Sequence, residues 1–211
     1  MGVPSHKLIV ADSGVNIKNL SNSLGSKRIG LNKNITFGYA GGLQPERDID
    51  NLILVASKNL SVNFLFIGGR EKLVKELQEK AQESGATNIE FLGYLKFSDM
   101  RKVLINRCDG MLYTRAKGKH EENSSPLKLF DYFNYEKPIV CANTSTTKEY
   151  INYQGIFGYV PSSISSLNDA IHECIVCIQN GGRVDSELID FAKEKSWVAR
   201  QKNILDKAGL L

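Results

Sequence analysis

Phe64-Leu65-Phe66-Ile67-Gly68-Gly69-Arg70-Glu71 decides the fold class, because four successive apolar residues run into two glycines and then into the start of a helix. A strand wet on one side alternates apolar and polar residues. One that is apolar at every position needs helices over both faces, which is the condition of a strand inside a parallel sheet. The same exchange of short apolar runs with longer amphipathic ones extends in both directions from this stretch. It predicts strands at 35–40, 63–68, 88–92, 109–113, 138–142 and 156–160. The helices predicted between and after them cover 47–59, 70–84, 97–106, 126–135, 146–151, 165–179, 186–194 and 197–208. Alternating β and α units joined by right-handed crossovers give an α/β fold: a doubly wound, mostly parallel six-stranded sheet with helices on both faces.

At 211 residues the chain is long enough to bury one large core. Its 42% hydrophobic and 24% charged residues are ordinary globular values and exclude disordered and fibrous classes. The net charge of +4 is small, and the basic residues share their helices with Glu and Asp, so no basic stripe suited to nucleic acid is formed. Four cysteines are few for a stapled secreted fold. Cys108 and Cys141 fall in or beside apolar strands and read as reduced core thiols of a cytoplasmic protein. Cys174 and Cys177 form a C-x-x-C with no second pair to complete a tetrahedral zinc site, so no metal is expected. No apolar run approaches the roughly 18–20 residues of a membrane span. Residues 1–34 differ from the rest: Lys7-Leu8-Ile9-Val10-Ala11 suits a strand, but 18–34 is polar and rich in Gly, Asn and Ser. The expected organisation is therefore a linker-like arm with one short strand, followed by a single Rossmann-like domain over 35–211.

Ser124 through Val140 joins a helix start to a buried strand. Ser124 or Ser125 suits an N-cap, and Pro126 suits the first helical position, where a missing N–H costs nothing. Leu127, Phe130 and Phe133 recur at helical spacing and face a core, which leaves Lys128 and Asp131 together on the other face. That pair reads in two ways. It is an exposed ion pair, or the lysine meets a diphosphate while the carboxylate accepts from the paired hydroxyls of a ribose. A helix start with unpaired N–H groups and a nearby lysine is an anion site.

In a doubly wound sheet, ligands bind outside the carboxyl ends of the strands. After the first strand, Gly41 and Gly42 let backbone N–H groups approach an anion and Arg47 opens the next helix, although a tight β-α turn with a surface arginine has the same sequence. After the second come Gly68 and Gly69. The G-x-G-x-x-G spacing is absent from the chain, which disfavours a Rossmann dehydrogenase. After the third, Gly93-Tyr94 passes its backbone across a planar base or makes a plain turn. After the fourth, 114–123 is a polar loop holding Arg115, Lys117, Lys119, His120, Glu121 and Glu122, while His6 and His172 lie in the arm and in a helix.

Five segments in order resemble the C-terminal half of GT-B glycosyltransferases of family 4. They are Gly41-x5-Arg47-Asp48-Ile49-Asp50-Asn51-Leu52-Ile53, then Phe66-Ile67-Gly68-Gly69, then Ile89-Glu90-Phe91-Leu92-Gly93-Tyr94. Ser125-Pro126-Leu127-Lys128-Leu129-Phe130-Asp131-Tyr132 and Lys137-Pro138-Ile139-Val140 complete the set. Ser196-Trp197 resembles the opening of the family's terminal helix, and 6–17 the segment joining its two halves. Gly42 stands where the family usually has an arginine. Asn123, with Glu122 beside it, stands where the first of two paired glutamates is usual.

The resemblance implies a retaining transferase that takes its sugar from a UDP-, GDP- or ADP-linked donor, with no other cofactor. It sets the base by Gly93 and Tyr94, the diphosphate by Gly41, Gly42, Gly68 and the helix start at Ser125, Pro126 and Leu127, and the ribose by Asp131. Arg47 and Lys128 would stabilise the leaving diphosphate without a tightly held metal. The partner implied is an N-terminal domain that binds a glycan or lipid-linked acceptor, with association at the inner membrane face through that half, and the isolated chain is expected to transfer little. The alternatives are a nucleotide-binding subunit acting with a separate partner chain and a flavodoxin-like regulatory domain.

Overall fold

The computed structural model describes Gly14 and residues 34–118 and 125–210. The strand expected in the arm, His6, and the Lys119, His120, Glu121, Glu122, Asn123 and Ser124 positions lie outside the described residues. The strands are β1 (Thr36–Ala40), β2 (Asn63–Ile67), β3 (Ile89–Gly93), β4 (Gly110–Tyr113), β5 (Ile139–Ala142) and β6 (Ile156–Tyr159). The helices are α1 (Ile49–Lys58), α2 (Glu71–Glu83), α3 (Phe97–Arg107), α4 (Leu127–Phe133), α5 (Ile164–Gln179), α6 (Ser186–Glu194) and α7 (Trp197–Lys207). All strand pairs are parallel, in the order β3-β2-β1-β4-β5-β6. That is the dinucleotide-type order with its reversal between β1 and β4, and it differs from the 2-1-3-4-5 order of flavodoxin-like domains.

The strands are apolar on both faces because each face has its own helical layer. Phe37, Tyr39, Phe64 and Phe66 pack with Leu52 of α1, Leu77 of α2 and Ile171 of α5. The neighbouring positions Leu65, Ile67, Met111 and Tyr113 pack with Leu104 of α3, Phe133 of α4 and Leu188 of α6. Cys108, Cys141 and Cys174 are buried and unbridged, and burial pushes the Cys141 thiol up to about 12. Among the described residues no helix is long and apolar enough to cross a membrane.

Three local expectations are corrected. The helix predicted at 146–151 is a series of turns. Thr147 shapes it: its Oγ1 donates to the Ala142 carbonyl at 2.5 Å and accepts from the Thr144 N–H at 2.9 Å, which folds the segment back onto the end of β5 as turns. The helix predicted over 47–59 is broken at Asp48, which adopts a left-handed conformation (φ 61°) between a 3-10 turn at Pro45–Arg47 and α1. Arg47 therefore closes that turn and does not open the helix. Finally, Pro126 is the N-cap of α4 and not its first residue, and among the described residues no side chain caps that end. Ser125 instead offers its carbonyl to the Leu127 N–H at 2.9 Å.

Candidate functional site at the strand-order reversal

The strand order reverses between β1 and β4, the point at which a doubly wound sheet has its ligand crevice, at the carboxyl edge. α4 delivers Lys128 to this crevice. Its ammonium lies 4.7 Å from the centre of the Tyr39 ring and fills the space that a side chain on residue 41 would need. Gly41 has φ 146°, so both its backbone and its missing side chain are required there. Gly68 (φ 117°) is constrained similarly, since a Cβ on it would run into the Gly41 carbonyl.

Hydrogen bonds tie these loops into one surface. The Gly41 N–H donates to Ile67 at 2.8 Å, and Gly68 donates to the Gly93 carbonyl at 2.6 Å. Tyr39 Oη donates to the Gly42 carbonyl at 2.5 Å, and Tyr132 Oη of α4 accepts from the Ala40 N–H at 3.0 Å. Burial holds the Tyr132 phenol well above its ordinary range, so it stays a neutral strut. Gly41, Gly42, Gly68 and Lys128 are thus brought together, and Gly93 joins them through Gly68. Tyr94, beyond the edge strand β3, is 81% exposed.

The far side of the crevice is stitched as well. Thr114 Oγ1 donates to the Arg47 carbonyl at 2.6 Å, and the Ala116 N–H donates to Glu46 at 3.0 Å. Asp48, buried at the start of α1, accepts from the Ser162 N–H and Tyr159 Oη, both at 3.2 Å, and from Asn51 Nδ2 at 2.8 Å. Burial raises the Asp48 pKa above its usual carboxylate value, against those three hydrogen bonds. Arg115 is also buried, with its guanidinium 4.4 Å over the Tyr113 ring and Nη1 donating to the Thr114 carbonyl at 3.0 Å.

Asp131 and Lys128 do not form the exposed pair that their spacing allowed. Asp131 Oδ2 instead accepts from Tyr135 Oη at 2.6 Å, and the charge of Arg101 on α3 acts on it. Burial raises its pKa, while Tyr135 and Arg101 oppose the rise. Lys137, of the Lys-Pro-Ile-Val segment, caps the carboxyl end of α3 through Leu104 (3.0 Å), Ile105 and Cys108. The roles of Tyr39, Tyr132, Tyr159 and Arg101 went unseen in the sequence. The available signal was that a tyrosine buried inside an apolar run needs a partner for its hydroxyl. Two open grooves, of about 310 and 470 Å³, lie at the opposite, amino-terminal edge of the sheet, lined by residues such as Ile35 and His172 or Asn63 and Arg107.

The family model of glycosyl transferases group 1 matches residues 25–177. No curated protein matches the sequence significantly. Among solved structures, HepE of Anabaena in complex with UDP and glucose superposes with TM-score 0.67 at 19% identity, over 84% of this chain and 49% of that one. The lipopolysaccharide outer core galactosyltransferase WaaB, in its apo form, gives TM-score 0.70 at 17% identity over 98% of this chain and 57% of its own. The C-terminal domain of LpcC, a glycosyl transferase group 1 family protein of Francisella tularensis, gives 0.55 at 17% identity, over 75% of this chain and 80% of that one. At such identities the likeness is one of fold, and the chain spans about half the length of the HepE and WaaB chains. With the family model covering most of the described domain, the chain belongs to the glycosyl transferases of group 1.

Proposed function

We propose that the crevice between β1 and β4 is the donor site of a retaining, family 4-type glycosyltransferase that takes a hexose from a nucleotide-diphosphate sugar. The observation that carries this reading is the Lys128 ammonium standing over Gly41 at the strand-order reversal, a cation beside glycine backbone. The diphosphate lies along Gly41, Gly42 and Gly68, near the start of α4 at Ser125, Pro126 and Leu127. Lys128 and Arg47 stabilise the leaving charge without a tightly held metal. Asp131 receives the ribose hydroxyls, and the base lies by Gly93 and Tyr94. UDP and UDP-glucose bound to HepE support a nucleotide-sugar donor for this fold.

Transfer needs an acceptor-binding half to close the crevice and exclude water, so this chain by itself transfers little. Exposed Tyr94 and Val160, following β3 and β6, give such a half apolar surface to cover. Whether that half shares the polypeptide or is a separate chain, the full enzyme extends a glycan or lipid-linked acceptor in polysaccharide assembly, in the cytoplasm or at the inner face of the membrane. The test is a thermal-shift panel of UDP, GDP, ADP and their sugars, since a ligand bound only by the folded state raises Tm by mass action. A nucleotide that raises Tm in the parent chain and not in Lys128→Met supports the site. Equal shifts in both chains remove Lys128 from it.

A further inference from the structure

Arg101 is a charge buried where nothing in the family resemblance calls for one. It lies on the second turn of α3 at 7% exposure, with its guanidinium 5.6 Å from the centre of the Phe97 ring and 5.8 Å from that of Tyr135. Among the described residues its Nε and Nη2 are buried without a hydrogen-bond partner. Aromatic faces compensate a buried guanidinium only in part, and a cation left otherwise unpaired is costly. The carboxylate its field reaches is Asp131, on the adjacent helix.

The link is physical. Tyr135, fully buried, offers its ring to Arg101 and its hydroxyl to Asp131 Oδ2 at 2.6 Å, so one side chain touches both charges. Oδ2 is engaged by Tyr135, and among the described residues Oδ1 has no hydrogen-bond partner. Among the described residues, the charged and titratable groups facing Asp131 are Arg101 from α3 and, from α4 and the turn after it, Tyr132 and Tyr135. Of these only Arg101 is a cation. Burial alone would favour the protonated acid, and a protonated carboxyl is the poorer acceptor for a diol.

We infer that Arg101 is a positioning residue of the donor site: with Tyr135 it holds Asp131 as an oriented anion whose Oδ1 accepts from the ribose hydroxyls. This rests on the donor-site reading above. The assignment separates a residue that never touches the nucleotide from the ones that do, and it gives the buried arginine of α3 a role.

Two measurements on the same chains test it. In ligand-free protein, the side-chain carboxyl 13C signal of Asp131 is titrated by NMR in the parent, Arg101→Met, Arg101→Lys and Tyr135→Phe chains. UDP affinity is then followed against pH by calorimetry. In Arg101→Met the Asp131 midpoint moves up by about one pH unit or more, and the acid limb of UDP binding moves with it, a loss of about tenfold on that limb. Arg101→Lys restores most of both. Tyr135→Phe, which keeps the buried charge, shifts the midpoint in the same direction and carries the test if Arg101→Met does not fold. An unmoved midpoint, or a loss of affinity equal at every pH, overturns the inference and leaves Arg101 a packing residue. If the parent chain binds none of UDP, GDP and ADP, the donor reading fails by that result alone, while the Asp131 titration still decides its coupling to Arg101.

Discussion

The Lys128 ammonium stands 4.7 Å from the centre of the Tyr39 ring, and Tyr39 Oη in turn donates to the Gly42 carbonyl at 2.5 Å. A cation from α4 is thus seated on a residue of β1 whose other end fixes the glycine loop. The ring face holds the ammonium at the glycine loop without neutralising its charge. Lys128→Met keeps the stem and removes the charge. It is expected to weaken nucleotide diphosphate binding about 10- to 100-fold, the range of a charge-assisted hydrogen bond, with little change in Tm. Calorimetry against differential scanning separates the two effects, and a Tm that collapses with the affinity would show that the lysine is there for stability.

Gly41 and Lys128 compete for one volume, so their substitutions should not be additive. Gly41→Ala forces a side chain into the space of the ammonium at a φ that L-residues rarely adopt, and it is expected to cost about 1–3 kcal/mol. Removing the lysine side chain as well, in Gly41→Ala with Lys128→Ala, relieves the clash but not the backbone strain. Part of the stability should return while nucleotide binding stays lost. Denaturant unfolding of the four corners of the cycle gives the coupling. Strict additivity would mean that the two residues do not meet.

Asp131 should show opposite signs in stability and function. Its folded pKa is raised, so the folded state holds the proton more tightly than the unfolded chain does. Stability is then greatest below the unfolded value of 3.8 and falls as pH climbs through the raised folded value. Asp131→Asn removes the cost of the buried anion yet still accepts from Tyr135. It is expected to gain stability at neutral pH, to flatten the stability profile in that acid window, and to lose nucleotide affinity. Urea midpoints at several pH values check the first two. A variant both less stable and fully binding would contradict the assignment on both counts.

How far the sequence foretells this site depends on what sets each feature. The sheet was readable because runs such as Phe64-Leu65-Phe66-Ile67 are apolar on both faces, a property local to the strand. Gly41 and Gly68 were readable for the same reason, since a sharp exit from a buried strand calls for glycine. The helix at 146–151 was not, because Thr147 closes a turn onto Ala142 that a periodicity count does not register. Lys128 and Asp131 share a face by spacing, but α4 has the end of β1 on one side and α3 on the other, and the two side chains part accordingly. Arg101 is the extreme case. Nothing local marks it, since its role depends on where α3 lies against Tyr135.

Tyr159 closes the far wall of the crevice and gives a test of how rigid that wall must be. Its hydroxyl accepts from the Arg115 N–H at 3.0 Å and lies 3.2 Å from both the Arg115 carbonyl and Asp48 Oδ2, so a single oxygen joins the loops after β1, β4 and β6. Asp48 has its left-handed conformation within that network. Tyr159→Phe leaves the Arg115 N–H without its acceptor and removes one donor from a buried carboxylate. The expected cost is about 1–3 kcal/mol, and it should fall mostly on the loops, since the ring itself still fills the core. Hydrogen exchange offers the readout: the amides of Arg115, Ala116 and Ser162 should exchange faster, while those of β1 and β2 should not. Uniform acceleration across the sheet would instead show that Tyr159 supports the whole domain and that the crevice wall has no separate stability of its own.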